Sequence, residues 1–205
     1  MTDSQSAAGY FPDGLPYNRL GHGPRPLVVF QGLMLENKPQ SRLSVQNYSF
    51  LQDAYTVFVV LRKAGLPKGY TMKEMADDYA AMIEREFGKP VDIIGVSTGG
   101  SIAQHFAADH PELVRRLVLH SSAYVLNDAA KELQLRIAEL GQQGQWTKVN
   151  AAMIDFIVPH SGMMKYLAKP IVWTASPLMT LLSAPKDPSD LVVTVLAEDE
   201  HDFKE

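Results

Sequence analysis

The sequence predicts an α/β protein: a mostly parallel sheet with helices on both faces, followed by a helical insertion. Three observations carry this. Short continuous apolar runs recur at Pro26–Phe30, Tyr55–Leu61, Val91–Val96 and Leu117–His120, the pattern of strands buried on both faces. Helical patterns alternate with these runs, and strand–helix alternation implies parallel neighbours joined by crossovers. After Tyr124 the alternation stops. Residues 126–185 contain no clear buried strand, only helical stretches rich in Met, Trp and Phe.

In chain order, the first 15 or so residues carry Gly, Pro, Ser and Asp and read as a loose leader. Tyr17–Leu20 reads as a short strand, followed by the turn Gly21-His22-Gly23-Pro24. Pro26–Phe30 then ends at Gln31-Gly32. Ser44–Ala54 reads as a helix, and Tyr55–Leu61, β-branched and aromatic, as the next strand. Thr71-Met72-Lys73-Glu74 is a capping box, in which Thr71 and Glu74 each satisfy a free backbone N–H. Behind it Met75, Tyr79, Met82 and Ile83 share one helical face, and Gly88 and Pro90 stop the helix. Val91–Val96 is a strand, Ser97–Ala108 a helix, and Leu117–His120 a fourth strand. Asn127 or Asp128 can cap a helix carrying Leu133, Ile137 and Leu140, with Gly141 as its end. The expected division is a leader over 1–15, a core over 16–125, a helical cap over 126–198, and the start of a return to the core over 199–205.

The 205 residues are enough for one domain with a sizeable core. Apolar residues at 46% and charged residues at 20% exclude wholesale disorder. A net charge of −4 leaves no Lys and Arg excess to displace counterions, so no nucleic-acid partner is expected. The lack of cysteine excludes disulfides, thiolate metal sites and cysteine nucleophiles. No apolar run approaches the roughly 20 residues of a membrane span, and the polar N-terminus lacks the marks of a targeting segment. A cytoplasmic protein without membrane contact is the expectation.

Gly95-Val96-Ser97-Thr98-Gly99 matches G-x-S-x-G. The bare pattern is weak, but it sits where a buried strand leaves and a helix begins, the placement a nucleophile elbow requires. Gly95 and Gly99 allow a turn too tight for a Cβ, with Ser97 strained and its hydroxyl exposed. The alternative is an ordinary glycine-rich turn or anion cradle. Both nucleotide fingerprints fail, since Gly-x-Gly-x-x-Gly is absent and no Lys follows the glycines.

With these residues the chain resembles the capped serine hydrolases of the α/β-hydrolase fold superfamily, from about Tyr17 to about Tyr124. The resemblance is carried by the strand ending in Gln31-Gly32, by Gly95 to Gly100, and by His110-Pro111-Glu112-Leu113-Val114-Arg115-Arg116-Leu117-Val118-Leu119. It implies an oxyanion hole formed by the backbone N–H groups of Leu33 and Thr98. Where the family commonly has His-Gly, this chain has Gln31-Gly32, which backbone donors tolerate. Gln31 is equally read as a strand-end residue that ties down a loop.

The resemblance also implies a triad in the order Ser, acid, His, with the acid beyond the cap and the His after the last strand. Neither is evident. His22 lies in a turn, His110 ends a helix and His160 lies in the cap. His105 stands ~12 Å of helical rise from Ser97. His120 ends a strand expected to neighbour Val91–Val96 and is a candidate surrogate base. The run Glu198-Asp199-Glu200-His201-Asp202 has two readings. If Leu191–Leu196 is a strand, Asp199 is a candidate acid, with His201 nearby as a candidate base. If it is a helix, Asp187 caps it, Pro188 opens it, and Leu191, Val192, Val195 and Leu196 share a face. The helix is favoured. The chain then stops before two strand–helix units and both remaining triad members, leaving an open apolar edge at Leu117–His120.

The leading expectation is an esterase-like hydrolase with Ser97 as nucleophile and a small apolar acyl substrate. Its His–acid pair would come from a missing C-terminal segment or a second chain. Met153, Phe156, Met163, Met164, Trp173 and Met179 are candidates for the acyl pocket or for the cap's own core. The alternative is a non-catalytic binding protein that keeps the fold without the triad. A cofactor-free haloperoxidase is a third reading, and halide displacement is disfavoured because Ser97, not Asp, stands in the turn. No cofactor and no metal are expected.

Overall fold

The computed structural model describes residues 6–157, 184, 185 and 187–203. Their six strands are β1 (Ser6–Tyr10), β2 (Pro16–Leu20), β3 (Arg25–Phe30), β4 (Tyr55–Val60), β5 (Val91–Val96) and β6 (Val114–His120). They form one sheet in the order β1-β2-β4-β3-β5-β6. β4, β3, β5 and β6 run parallel, while β1 and β2 add antiparallel at one edge. The helices are α1 (Arg42–Val45), α2 (Met72–Phe87), α3 (Thr98–Asp109), α4 (Asp128–Gln142), α5 (Trp146–Ile157) and α6 (Ser189–Asp199).

Alternation along the strands divides the core between two faces. Val28, Phe30 and Ile93 meet α2 and α3 through Met75, Tyr79, Ile83, Ile102 and Phe106. Phe30 anchors this layer, stacked on Tyr79 at 4.0 Å and edge-on to Phe106 at 5.3 Å. The Tyr79 hydroxyl donates to the Val60 carbonyl at 3.1 Å, so the aromatic cluster also fixes the end of β4. On the opposite face Leu27, Val29, Val57 and Val59 pack on Val45 and Tyr48. α2 begins with the expected capping box at Thr71 and Glu74 and ends at Gly88 in the left-handed conformation.

Four expectations are corrected. The leader is not loose from residue 6 onward. β1 pairs with β2, and Phe11 and Leu15 are buried. Ser44–Ala54 is not one α-helix. Four residues of α1 pass into a 3-10 helix, Gln46–Leu51. The apolar residues Val45, Tyr48 and Leu51 recur every three positions, the period of a 3-10 helix rather than an α-helix. Gly141 does not end α4, which runs to Gln142. A Cβ at Gly141 would stand 3.1 Å from Leu191 Cδ2, so its small size admits α6. On α6 itself Leu196 is exposed, while Leu191, Val192 and Val195 are buried as expected.

α6 joins two layers. Leu191, Val192 and Val195 pack with Ile137 of α4 and Val149 of α5. Val193 and Ala197 face the core beneath α2 and α3. Its N-terminus is tied to the loop after β4, where the Asp190 carboxylate accepts from the Gly65 and Leu66 N–H groups at 3.1 and 2.8 Å. No described helix is long and apolar enough to cross a membrane.

Candidate active site

β5 is buried and ends at Val96, and α3 begins at Thr98. Ser97, between them, has φ 51° and ψ −125°, a backbone conformation strained for a residue with a Cβ. The backbone around it is fully used. The Ser97 N–H donates to the His120 carbonyl at 3.0 Å. The Ser97 carbonyl accepts from the Gly100 and Ser101 N–H groups at 2.7 and 3.3 Å. The flanking glycines allow the close approach. A Cβ on Gly99 would lie 2.0 Å from the Phe30 carbonyl oxygen, and one on Gly95 2.7 Å from Gly100 Cα.

The same compression places the end of β3 against the turn. An added Cβ on Gly32 would lie 3.3 Å from Ser97 Cβ. A cleft of ≈ 260 Å³ opens there, lined by residues 31–34 and 96–98, with Gln134 and Ile137 from α4 and Met153 from α5. Ser97, Leu33 and Thr98, nominated from the sequence, therefore line one cleft. Met153, nominated for an acyl pocket, joins them. The side chain of Phe156 and residues Met163, Met164, Trp173 and Met179, with His160, lie outside what is described.

Two buried charges flank the cleft. Arg62, at the exit of β4, donates from Nη1 to the Gln31 carbonyl at 3.0 Å and from Nη2 to the Gly32 carbonyl at 3.1 Å. Burial pulls its guanidinium below the ordinary value, while Tyr79, Glu198 and Asp190 push it back up. Glu198 on α6 accepts from Thr98 Oγ1 at 2.6 Å, Ser101 Oγ at 2.9 Å and Gln134 Nε2 at 3.1 Å. Gln31 behaves as the loop tie: its Oε1 accepts from the Gly32 N–H at 3.4 Å and the Tyr48 hydroxyl at 3.5 Å.

Sequence reasoning missed Arg62, Glu198 and Gln134. A signal for Glu198 existed, since it falls seven and three positions after Leu191 and Val195, on the apolar stripe of its helix. A charged residue there is a buried charge or a break in the pattern.

The three nominated acid and base residues do not meet Ser97 in the cleft. His120 neighbours Val96 across the sheet as expected, but its side chain is exposed and its contribution to the turn is its carbonyl. Asp199 closes α6, because the segment is a helix and not a strand. The end of α6 meets α4 there, with Lys131 Nζ donating to the Asp199 carbonyl at 2.5 Å and standing 4.0 Å from its carboxylate. His201 is not a solvated tail residue. It is 3% exposed, and its Nδ1 lies 3.1 Å from His105 Nε2, two turns along α3. Burial lowers the pKa of both imidazoles. Among the described residues that line the cleft none is His, Asp or Glu. Among the described residues no group of three or more such side chains is placed to hold a metal ion.

A larger cavity of ≈ 760 Å³ lies between α6 and the loop before α2, with Leu66, Tyr70, His105 and Val193 in its wall. It contains none of the Ser97 constellation, and its size alone gives it no chemistry.

Residues 17–169 match the model of the alpha/beta hydrolase fold family, and the chain belongs to that family. It is similar to the RutD protein of Yersinia enterocolitica, named for carbamate hydrolysis, with 32% identity over 93 residues. That match covers 45% of this chain and 34% of the relative. It is also similar to the pimeloyl-[acyl-carrier protein] methyl ester esterase of Chromobacterium violaceum, 46% identical over 44 residues, covering 22% of this chain and 17% of the relative. The chain thus spans well under two thirds of either curated relative. Among solved structures, MGS-M2, an alpha/beta hydrolase enzyme from a Medee basin deep-sea metagenome library, superposes with a TM-score of 0.77 at 17% identity. The superposition covers 97% of this chain and 74% of that one, a likeness of fold.

Proposed function

We propose that the chain is a serine hydrolase acting on a carboxylic ester or a similar small acyl substrate, with Ser97 as the nucleophile. The observation that carries this reading is the strained Ser97 backbone at a strand–helix junction, in a cleft shared with Leu33 and Thr98. Ser97 Oγ attacks the substrate carbonyl carbon. The oxygen that gains the negative charge accepts from the Leu33 and Thr98 N–H groups, the second at the N-terminus of α3, where the helix dipole favours an anion. The hydroxyl proton passes to a histidine held by an acid, which then protonates the leaving group, and water resolves the acyl-enzyme. The described cleft residues offer no such pair, so it comes from elsewhere in the chain, from a further segment, or from a second chain. Ile137 and Met153 give the cleft an apolar wall suited to a small acyl group. The relatives' names, carbamate hydrolysis and methyl-ester cleavage, agree with acyl transfer to water.

A second reading is a non-catalytic binder of small apolar ligands. The same cleft supports it, since its described residues include no base. Fluorophosphonate labelling of the purified chain, located by mass with Ser97→Ala as control, decides between them. Adduct on Ser97, absent in the variant, is the outcome expected of a hydrolase. A folded chain that takes up apolar ligand without adduct means that the machinery in this chain is incomplete, and it supports the binder once no further segment or second chain restores labelling.

A further inference from the structure

We infer that Glu198 is a positioning residue for this site: its buried carboxylate holds the first turn of α3, and so the Thr98 N–H, where the oxyanion needs it. The inference rests on reading Ser97 as the nucleophile.

A carboxylate 2% exposed is tolerated only if its oxygens are satisfied. Here the three donors are side chains that are themselves buried: Thr98, Ser101 and Gln134. Thr98 and Ser101 are three apart and share one face of α3. Gln134 belongs to α4, and Glu198 to α6. One carboxylate therefore ties three helices together within one turn of Ser97. The position also suits a negative charge, because the N-terminus of α3 carries the positive end of its dipole.

The bond to Thr98 is the one that matters for chemistry. At 2.6 Å it has the length of a charge-assisted O–H···O⁻ bond. Threonine is stiff at χ1, so fixing its hydroxyl also restrains the backbone that carries its N–H. Glu198 does not line the cleft, so it acts through Thr98 and not on substrate. The two oxyanion donors lie on separate segments, and each needs its own anchor. Arg62 holds the Gln31 and Gly32 carbonyls on the Leu33 side, and Glu198 holds the Thr98 side. A misplacement of about 1 Å in such a site costs about a hundredfold in rate.

The test compares the intact chain with Glu198→Ala, Glu198→Gln, Thr98→Val and the Thr98→Val/Glu198→Ala double variant. Two readouts are taken below the melting temperature of each. The first is fluorophosphonate labelling at Ser97, separated into probe affinity and inactivation rate. The second is hydrogen exchange at the Gly100 and Ser101 amides, which donate to the Ser97 carbonyl. In Glu198→Ala the inactivation rate is expected to fall about tenfold or more at unchanged probe affinity, and the two amides to exchange about tenfold faster. Glu198→Gln keeps an acceptor for Thr98 and recovers most of both. Thr98→Val reproduces the loss, and the double variant adds nothing to it. Wild-type labelling and exchange in a folded Glu198→Ala overturn the inference, as do fully additive losses. A wild-type chain that never labels at Ser97 means either that its base lies outside this chain or that Ser97 is not the nucleophile, and exchange at the two amides then still shows whether Glu198 holds the turn.

Discussion

Ser97 keeps its backbone at φ 51° because Gly95 and Gly99, two positions to either side, have no side chains to push β3, β5 and α3 apart. Gly99→Ala would set a Cβ 2.0 Å from the Phe30 carbonyl oxygen. Neither a buried strand end nor the first turn of a helix can retreat that far, so the expected loss is about 3 kcal/mol or more, read from urea unfolding. Arg62 is constrained in the opposite sense, by what it must satisfy. Arg62→Met keeps much of the volume but strands two buried carbonyls, at Gln31 and Gly32. The expected cost is about 2–4 kcal/mol by the same measurement, with slower labelling of Ser97, since the loop that carries Leu33 loses its anchor.

α6 is held at both ends by polar contacts that its sequence hides. At the N-terminal end Asp190 caps two loop N–H groups. Asp190→Ala is expected to cost about 2 kcal/mol, the value of two bonds to a charged acceptor less their hydration, and urea unfolding checks it. Beyond the C-terminal end His201 meets His105, and Phe203 donates its N–H to the Tyr124 carbonyl. Burial lowers both imidazoles below their ordinary value of 6.5, and His201 lowers His105 further. A hydrogen bond to the Ala123 backbone and then Asp202 oppose the shift of His201, Asp109 opposes that of His105, and Lys131 and Lys73 add to them. The unfolded chain therefore binds more protons once the pH drops below 6.5, so the contribution of the pair is complete above that pH and is lost as pH falls through the lower folded-state values. Melting temperatures across pH 7.5 to 5 are expected to fall, and to fall less in His201→Asn. Equal slopes in the two proteins would sink this account.

At the scale of the whole molecule, the described residues cover the sheet unevenly. Among the described residues, β1 and β2 add to one side, while β6 forms the other edge, with Val118 and Leu119, on opposite faces, 54% and 46% exposed. A parallel edge strand that is apolar on both faces favours pairing with another chain. Concentration-dependent association is expected in light scattering, and Val118→Lys should reduce it without lowering the melting temperature by more than about 1 °C. The parallel core was legible in the chain because strands buried on both faces must be apolar throughout, and the Thr71–Glu74 box and the Gly95–Gly99 spacing are local signatures with local causes. Ser97 was legible for the same reason, while Leu33 and Thr98 were nominated only through the family resemblance. The burial of His201 was not legible, because it depends on a partner 96 residues away, while β1 carries no continuous apolar run and the 3-10 path at Gln46–Leu51 is marked only by the three-residue spacing of Val45, Tyr48 and Leu51. The sequence by itself determined the parallel core of the sheet, the elbow-like turn and its serine, since strand burial and glycine steric limits act within a few residues. Only the tertiary structure decided that Arg62 and Glu198 stand at the two sides of the cleft and that His120, Asp199 and His201 stay out of it, because a buried charge is placed by donors and carbonyls that the fold brings from up to 100 residues away.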